Sequence, residues 1–225
     1  MTLEELNAQI ITCRKCARLV AWREEVALVK RKAYHDEEYW GKPVPGFGDP
    51  QARILVVGLA PGAHGSNRTG RQFTGDASGG FLFPALHRAG FANQPNASAR
   101  DDGLVLSDMY ISASARCAPP DNKPSPAELD NCQHFLEREI EILQPQVIVA
   151  LGRIAFERIL RIHSKRASAF KFSHGALYKL TDSLNIEHWL LASYHPSQQN
   201  TLTGKLTVDM FDDIWKKARQ FLGGK

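Results

Sequence analysis

Residues 53–58 read Arg-Ile-Leu-Val-Val-Gly, a short apolar run that ends in a glycine-rich turn. A run without alternating polar side chains is typical of a strand buried on both faces of a parallel sheet. Residues 147–151 and 189–194 have the same character, and 109–114 is a weaker candidate. Helical segments separate these runs, so the sequence predicts an α/β protein whose ligands bind at the carboxyl ends of the strands.

Helix signals lie between and around the candidate strands. Ser125, Pro126 and Glu128 form a capping-box pattern, which predicts that a helix begins there. The apolar positions that follow keep helical spacing and place Cys132 on the inner face. We also expect helices at 81–89 and 206–221.

The first 35 residues also have a helical pattern, and they are rich in positive charge. Such charges fit a solvated helix face as well as a surface that binds nucleic acid. The basic residues of this segment are Arg14, Lys15, Arg18, Arg23, Lys30, Arg31 and Lys32.

Composition limits the possibilities only broadly. A chain of 225 residues that is 43% hydrophobic can bury a sizeable core, and we expect a single domain over residues 1–225. Its net charge of +4 permits a polyanionic partner without requiring one. No apolar run approaches the roughly 18 residues needed to cross a bilayer, and no secretory leader pattern opens the chain. We therefore expect a soluble, cytoplasmic protein.

The complete cysteine complement is Cys13, Cys16, Cys117 and Cys132. A close pair and two distant single thiols can meet only through the fold, and four thiolates suit either a tetrahedral zinc ion or an iron-sulfur cluster. A cytoplasmic location disfavours disulfides. Unrelated buried thiols are the remaining alternative.

Residues 58–80 contain seven glycines directly after the first candidate strand. Such a loop lets backbone amides approach a ligand closely. It contains neither the GxxxxGK[ST] pattern of a phosphate-binding loop nor the GxGxxG pattern of dinucleotide sites. The loop is therefore a candidate site of another kind.

The segment 58–76, the His195-Pro-Ser197 triplet and the four cysteines together resemble the uracil-DNA glycosylase superfamily, and within it the type B (family 5) enzymes of bacteria and archaea. The likeness also extends through residues 43–50 and 116–124. It implies a three-layer α/β/α sandwich around a central, mainly parallel four-stranded sheet. It further implies a [4Fe-4S] cluster rather than zinc on Cys13, Cys16, Cys117 and Cys132. The hydrophobic pattern is compatible with a monomer, and we expect the protein to associate with nucleoid DNA.

The activity that the resemblance implies is hydrolysis of the N-glycosidic bond of uracil in double- or single-stranded DNA, which leaves an abasic site. Hypoxanthine and xanthine are expected as further substrates. A base must leave the helical stack before it can be attacked. The alternatives are a non-catalytic iron-sulfur protein that binds nucleic acid, and a zinc-stabilised hydrolase of free nucleotides.

Two residues are candidates for contacts with the extruded base. Phe73 matches the aromatic residue on which the superfamily stacks the base, although it could equally be a core phenylalanine. Asn122 offers both a donor and an acceptor to a base edge, although it could equally be a turn asparagine. Type A relatives read uracil with an asparagine that aligns with Ala113. Because this chain lacks that asparagine, we expect it to accept a broader range of bases.

His195 is the candidate donor to the departing base, because a donor aimed at the base carbonyl stabilises the developing negative charge. His-Pro-Ser is also a common triplet with purely structural uses. Ser197 and Asn200 would belong to the loop that wedges into the DNA.

The superfamily aspartate that orients water aligns with Ala60 here, so another group must act. Asp76 is the carboxylate best placed to do so, and it could equally be a helix N-cap or serve both purposes. Gly62 and His64 complete the expected base pocket, and Ser66 and Asn67 are candidates, with His64, for its rim or for holding a phosphate.

Overall fold

The computed structural model describes residues 1–182 and 185–222. Its helices are α1 (Leu3–Thr12), α2 (Ala17–Val29), α3 (Ser66–Thr69), α4 (Ala77–Arg88), α5 (Pro126–Leu143), α6 (Arg153–Ile162), α7 (Gln198–Leu202) and α8 (Val208–Gln220). Its strands are β1 (Phe47–Gly48), β2 (Ile54–Gly58), β3 (Met109–Ala113), β4 (Val147–Leu151), β5 (Leu177–Thr181) and β6 (Glu187–Ser193). In the described ranges, no helix is long and apolar enough to cross a membrane.

One mixed sheet in the order β1-β3-β2-β4-β6-β5 forms the centre of the molecule. Its four inner strands are parallel, with Gly58 opposite Ala113 and Leu151 opposite Ser193. These strands are the four that the apolar runs predict, and their carboxyl ends meet at one edge. The prediction of an α/β fold with a mainly parallel sheet is confirmed.

The sheet has six strands rather than four, because an antiparallel strand is added at each edge. Strand β1 has only two residues and lies between prolines, so it carries no periodic signal. Strand β5 mixes apolar and polar residues, and most of its side chains are only partly buried. Neither edge has the apolar run by which the central strands are recognised.

Alternate residues of the inner strands pack into two helical layers. Ile54 and Val56 face one side, where their hydrophobic cluster includes residues of α4 and α8. Leu55 and Val57 face the other side, with residues of α5 and α6. Burial on both faces explains why these strands are continuously apolar. The arrangement confirms the three-layer sandwich.

The helices begin where side chains can cap them. Ser125 and Glu128 make both bonds of the predicted capping box at the start of α5. Helix α4 begins four residues before the predicted 81, because the Asp76 side chain accepts the Gly79 N–H. Helix α8 begins after Thr207, which caps it in the same way. The expectation of one domain over 1–225 stays a prediction, and 183–184 and 223–225 lie outside the described residues.

A buried ion pair joins the loop after β3 to α5. Arg116 and Glu139 are 1% and 0% exposed, and Arg116 Nη2 lies 2.5 Å from Glu139 Oε2. The same oxygen accepts a bond from the Ser112 hydroxyl. A buried charge without its partner is strongly unfavourable. The pair therefore fixes the loop of Cys117 against the helix of Cys132.

Replacing Glu139 with Ala should lower the free energy of unfolding by about 3–5 kcal/mol, because the Arg116 charge would stay buried without a partner. Urea denaturation measures this change. The control is Glu141→Ala in the same helix, whose exposed pair with Arg138 should contribute less than about 1 kcal/mol. Equal losses for the two variants would contradict a structural role for the buried pair.

Candidate active site at the carboxyl edge of the sheet

A cleft of about 840 Å³ opens at the carboxyl ends of the parallel strands. This is the edge at which the sequence predicts the ligands of an open α/β sheet. Eight of the nine predicted catalytic and base-binding residues line the cleft: Ala60, Gly62, His64, Phe73, Asp76, Asn122, His195 and Ser197.

Asp76 lies between the glycine-rich loop and the beginning of α4. Its Oδ1 accepts the Gly79 N–H at 2.9 Å. A Cβ built on Gly65 would stand 2.2 Å from Asp76 Oδ2, and one built on Gly62 would stand 3.2 Å away. The carboxylate thus occupies space that any other residue at 65 would need. Asp76 is a helix N-cap, and it also faces the cleft.

Burial raises the pKa of Asp76 above its ordinary value. The backbone N–H groups of Gly79 and Ser78 and the charge of Arg68 oppose that effect without cancelling it. Burial therefore makes the ionised form of Asp76 less stable than that of an exposed aspartate. Such shifts are common for groups that take part in catalysis.

Phe73 lies against His195, with ring centroids 5.9 Å apart and planes inclined by 30°. Its ring also fills the space beside Gly58, where a Cβ would stand 2.7 Å from the ring. The backbone of Phe73 has a φ of 54°, an uncommon conformation for a bulky residue. Phe73 is 7% exposed and belongs to a core cluster, so it packs in the core and also borders the cleft.

His195 is neutral at physiological pH. Burial is the cause that lowers its pKa, to about 4. A neutral imidazole can donate one N–H. The Asn200 amide donates to the His195 carbonyl oxygen at 2.8 Å. Asn200 lines a smaller neighbouring cavity instead of the main cleft, and its amide holds the backbone of His195.

Asn122 reaches the cleft from a strained turn. Both Asp121 and Asn122 have left-handed backbones, with φ values of 52° and 56°. Two consecutive residues of this kind, neither of them glycine, are uncommon. Because such backbone conformations concentrate at functional sites, the turn fits the predicted base contact of Asn122, which stays a prediction.

The remaining polar residues of the loop differ in their surroundings. His64 lines the cleft and its Nδ1 lies 3.0 Å from the Tyr39 hydroxyl. Asn67, a candidate for the pocket rim from the sequence, is instead fully buried and donates to the Arg23 carbonyl oxygen. That placement is a correction, because an inward-facing side chain cannot reach DNA.

Several lining residues lie outside the sequence-based set. Ala113 borders the cleft, as its alignment with the base-reading asparagine implies. Arg31 and Tyr34 come from the basic N-terminal segment, where the charge pattern fitted a solvated helix face equally well. Gln72 and Asp121 flank Phe73 and Asn122 in the sequence. Only adjacency to a motif could have indicated those two.

The four cysteines are free thiols. Cys13 and Cys16 bracket the break between α1 and α2, while Cys117 follows β3 and Cys132 lies in α5. In residues 1–182 and 185–222, no three side chains among His, Cys, Asp and Glu converge closely enough to form a metal site as they stand.

The surroundings of the thiols nevertheless suit thiolate ligands. Arg23 is 2% exposed, and its Nη1 donates to Cys117 Sγ at 2.9 Å. The Asn131 amide donates to Cys16 Sγ at 3.4 Å. Burial raises the pKa of Cys117 to about 12, and the charges of Cys132 and Cys13 contribute to that rise. Without a cation the Cys117 sulfur stays protonated, whereas a bound metal would stabilise it as a thiolate.

The sequence of the chain matches a known protein family. Residues 45–219 match the family model described as the uracil DNA glycosylase superfamily. The chain belongs to this superfamily. The resemblance carried by residues 58–76 and the His195 loop is therefore confirmed.

Within the superfamily, the similarity is greatest to type-5 proteins among those compared. The chain is 52% identical to the type-5 uracil-DNA glycosylase of Thermus thermophilus over 224 residues, which are 99% of this chain and 100% of that protein. It is 43% identical to the type-5 protein of Pyrobaculum aerophilum over 210 residues, 93% and 89% of the two chains. Identity falls to 29% for the type-4 uracil-DNA glycosylase of Archaeoglobus fulgidus, over 100% and 95% of the chains.

Replacing Asp76 with Asn should separate its charge from its role as helix cap. Because the pKa of Asp76 is raised on folding, its contribution to the free energy of unfolding decreases as the pH rises through the carboxyl range. Asparagine keeps an acceptor for the Gly79 N–H. The variant should therefore gain stability relative to the wild type between about pH 4 and pH 7, as measured by urea denaturation.

The control for this experiment is Asp102→Asn. Burial would raise the pKa of Asp102, but the paired Arg71 guanidinium and three backbone N–H groups outweigh it and hold that pKa well below its usual range. Relative to the wild type, that variant should lose stability by an amount that is nearly constant above about pH 5 and becomes smaller as the pH falls below the ordinary carboxyl pKa of about 4. Parallel stability curves for wild type and Asp76→Asn would show that Asp76 is not shifted.

Proposed function

We propose that the protein is a monofunctional DNA glycosylase that hydrolyses the N-glycosidic bond of uracil, and also of hypoxanthine and xanthine, leaving an abasic site. The observation that carries this proposal is that Asp76 and His195 border one cleft at the carboxyl edge of the sheet. The membership of the chain in the uracil DNA glycosylase superfamily supports the same reaction.

The substrate would be a nucleotide extruded from DNA, because its glycosidic bond is inaccessible inside the stack. The Phe73 ring borders the cleft and offers a surface on which the base can stack. Asn122 can both donate to and accept from the edge of the base. Its strained turn presents the amide without the freedom of an ordinary loop.

His195 stabilises the departing base in this mechanism. As the glycosidic bond breaks, negative charge accumulates on the base, and an N–H aimed at a carbonyl oxygen of the base stabilises that charge. With a pKa of about 4, the imidazole stays neutral and keeps its single donor across the physiological range. It acts by hydrogen bonding and transfers no proton.

Asp76 acts on the sugar side of the bond. Its carboxylate approaches Gly62 and Gly65, in the same loop in which Ala60 replaces the usual aspartate. We assign to it the orientation of the attacking water and the electrostatic stabilisation of the cationic sugar. This placement argues against the alternative of a non-catalytic nucleic-acid-binding protein, because a carboxylate is available to replace the one missing at Ala60.

The broad substrate range rests on the size and lining of the cleft. A volume of about 840 Å³ is ample for a purine as well as a pyrimidine. Ala113 presents a methyl group where a uracil-reading side chain would exclude other bases. Selection would then depend on Asn122 and on how easily a damaged base leaves the stack.

Single-turnover excision tests the proposed activity. A labelled duplex with one deoxyuridine, and another with hypoxanthine, should give strand breaks after alkaline treatment, whereas an undamaged duplex should give none. Asp76→Asn and His195→Ala should each lower the rate by about 10²–10³-fold. The control Asp101→Asn removes an exposed carboxylate and should leave the rate unchanged. No product from folded wild-type protein would refute the activity.

The pH profile tests the role of the Asp76 charge. Excision should slow as the pH falls through the raised pKa of Asp76, because the protonated acid can neither orient water nor stabilise a cation. Residual excision by Asp76→Asn should lack this decrease. An identical profile for the variant would assign the titration to another group.

We also propose that Cys13, Cys16, Cys117 and Cys132 hold a [4Fe-4S] cluster. Their free thiols, and the N–H donors that Arg23 and Asn131 direct at the sulfurs, support this assignment. When bound, the cluster would supply iron–thiolate bonds that tie the α1–α2 break to the loop after β3 and to α5. Its role would be structural.

Replacing Cys117 with Ser should abolish the brown colour and lower the yield of soluble protein, because a ligand and its link between segments are lost. Iron and sulfide analysis of anaerobically purified protein measures the change. Ser107→Cys, on a surface loop, is a suitable control for the substitution chemistry and should keep the colour. A colourless wild type that folds equally well would refute the cluster.

A further inference from the structure

Part of the lining of the cleft comes from residues outside the sequence motifs of the superfamily. Arg31 and Tyr34 both line it, yet they precede the matched residues 45–219. They belong to the segment 31–39, which follows α2 and contains a short turn of 3₁₀ helix at Lys32–Tyr34. The segment joins the cysteine-bearing helices to the site.

Arg68 attaches this segment to the glycine-rich loop. Its guanidinium carbon lies 4.0 Å from the centre of the Tyr34 ring, and it forms an ion pair with Glu37. The same side chain donates to the backbone carbonyl oxygens of His64 and Gly75, at 2.8 and 3.1 Å. Tyr34 is thereby fixed beside the loop that carries Asp76.

A second set of contacts fixes the backbone of Arg31. Its N–H donates to the Tyr39 hydroxyl at 3.4 Å, and that hydroxyl lies 3.0 Å from His64 Nδ1. Its carbonyl oxygen accepts the Tyr34 N–H at 2.8 Å. Both ends of the Arg31 peptide are therefore tied to residues that contact the loop.

Within residues 1–182 and 185–222, no carboxylate forms an ion pair with the Arg31 side chain. Arg68, by contrast, is paired with Glu37. Arg31 and His64 both line the cleft, and the positive charge of Arg31 is, after burial, one of the causes that lower the pKa of His64. An exposed guanidinium that lines a cleft, on a backbone held by hydrogen bonds, is well suited to bind a phosphate group.

We propose that Arg31 binds a phosphodiester of DNA beside the extruded nucleotide, with Tyr34 and Tyr39 as positioning residues. This inference rests on the proposed glycosylase function, since it places DNA across the cleft. The contact would hold the backbone of the strand while the base enters the site.

The salt dependence of DNA binding tests the contact. The probe is a duplex with one tetrahydrofuran abasic analogue, which cannot be cleaved, titrated with Arg31→Gln and wild-type protein between about 50 and 200 mM salt. Loss of one phosphate contact should reduce the slope of log Kd against log salt by about 0.9. Lys32→Gln is the matched control, because it removes the same charge one residue away, at an exposed position.

Two further variants test the positioning role. Tyr34→Leu removes the ring that packs on Arg68 and should reduce the salt slope as Arg31→Gln does, whereas Tyr34→Phe keeps the ring and should restore the wild-type slope. Thermal unfolding of each variant checks that the fold is intact. Equal effects of the Leu and Phe variants would overturn this role.

Parallel excision assays separate this inference from the proposed function. Uracil excision by the wild type, together with equal salt slopes for Arg31→Gln and Lys32→Gln, would overturn the Arg31 contact alone. A reduced slope for Arg31→Gln only, on the abasic duplex more than on the undamaged one, would support it. A complete lack of excision would overturn the proposed function and the placement beside an extruded nucleotide.

Discussion

The cleft depends on the close approach of the Asp76 carboxylate to the backbone of Gly65. A side chain at Gly65 would overlap the carboxylate, and one at Gly79 would stand 1.7 Å from the Phe73 carbonyl oxygen. Glycine is needed at these two positions because a side chain would collide with neighbouring atoms, and not because the backbone needs a conformation that only glycine adopts. The same crowding that caps α4 also fixes the direction of the carboxylate. Helix capping and the proposed chemistry are therefore one arrangement, not competing explanations of Asp76.

Burial shifts the pKa values of the two proposed catalytic groups in opposite directions, yet it favours the neutral form of both. It raises the pKa of Asp76 and lowers that of His195, so each group is driven toward its neutral form. His195 reaches that form without any partner charge. For a leaving group that departs as an anion, a neutral N–H donor can stabilise the developing charge by a hydrogen bond.

The central strands and the capped helix α5 were predictable because burial on two faces and the capping box leave local patterns. The position of Asp76 and His195 at one edge followed from the parallel topology and the family likeness. Strand β1 was not predictable, because two residues carry no period. The inward direction of the Asn67 side chain was not predictable either. It depends on a hydrogen bond to the carbonyl oxygen of Arg23, which belongs to a helix distant in sequence. Arg31 was visible only as charge, since its position relies on its bond to Tyr39 and on the packing of Arg68 against Tyr34.

The two antiparallel edge strands have a consequence for how the protein behaves in a crowded cell. An exposed strand edge can recruit strands from other chains, which leads to aggregation. Strand β1 is too short to serve as a template and is followed at once by Asp49 and Pro50, while β5 exposes Lys179. The long apolar strands lie between them. The borders of the sheet thus protect its most aggregation-prone segments from intermolecular pairing.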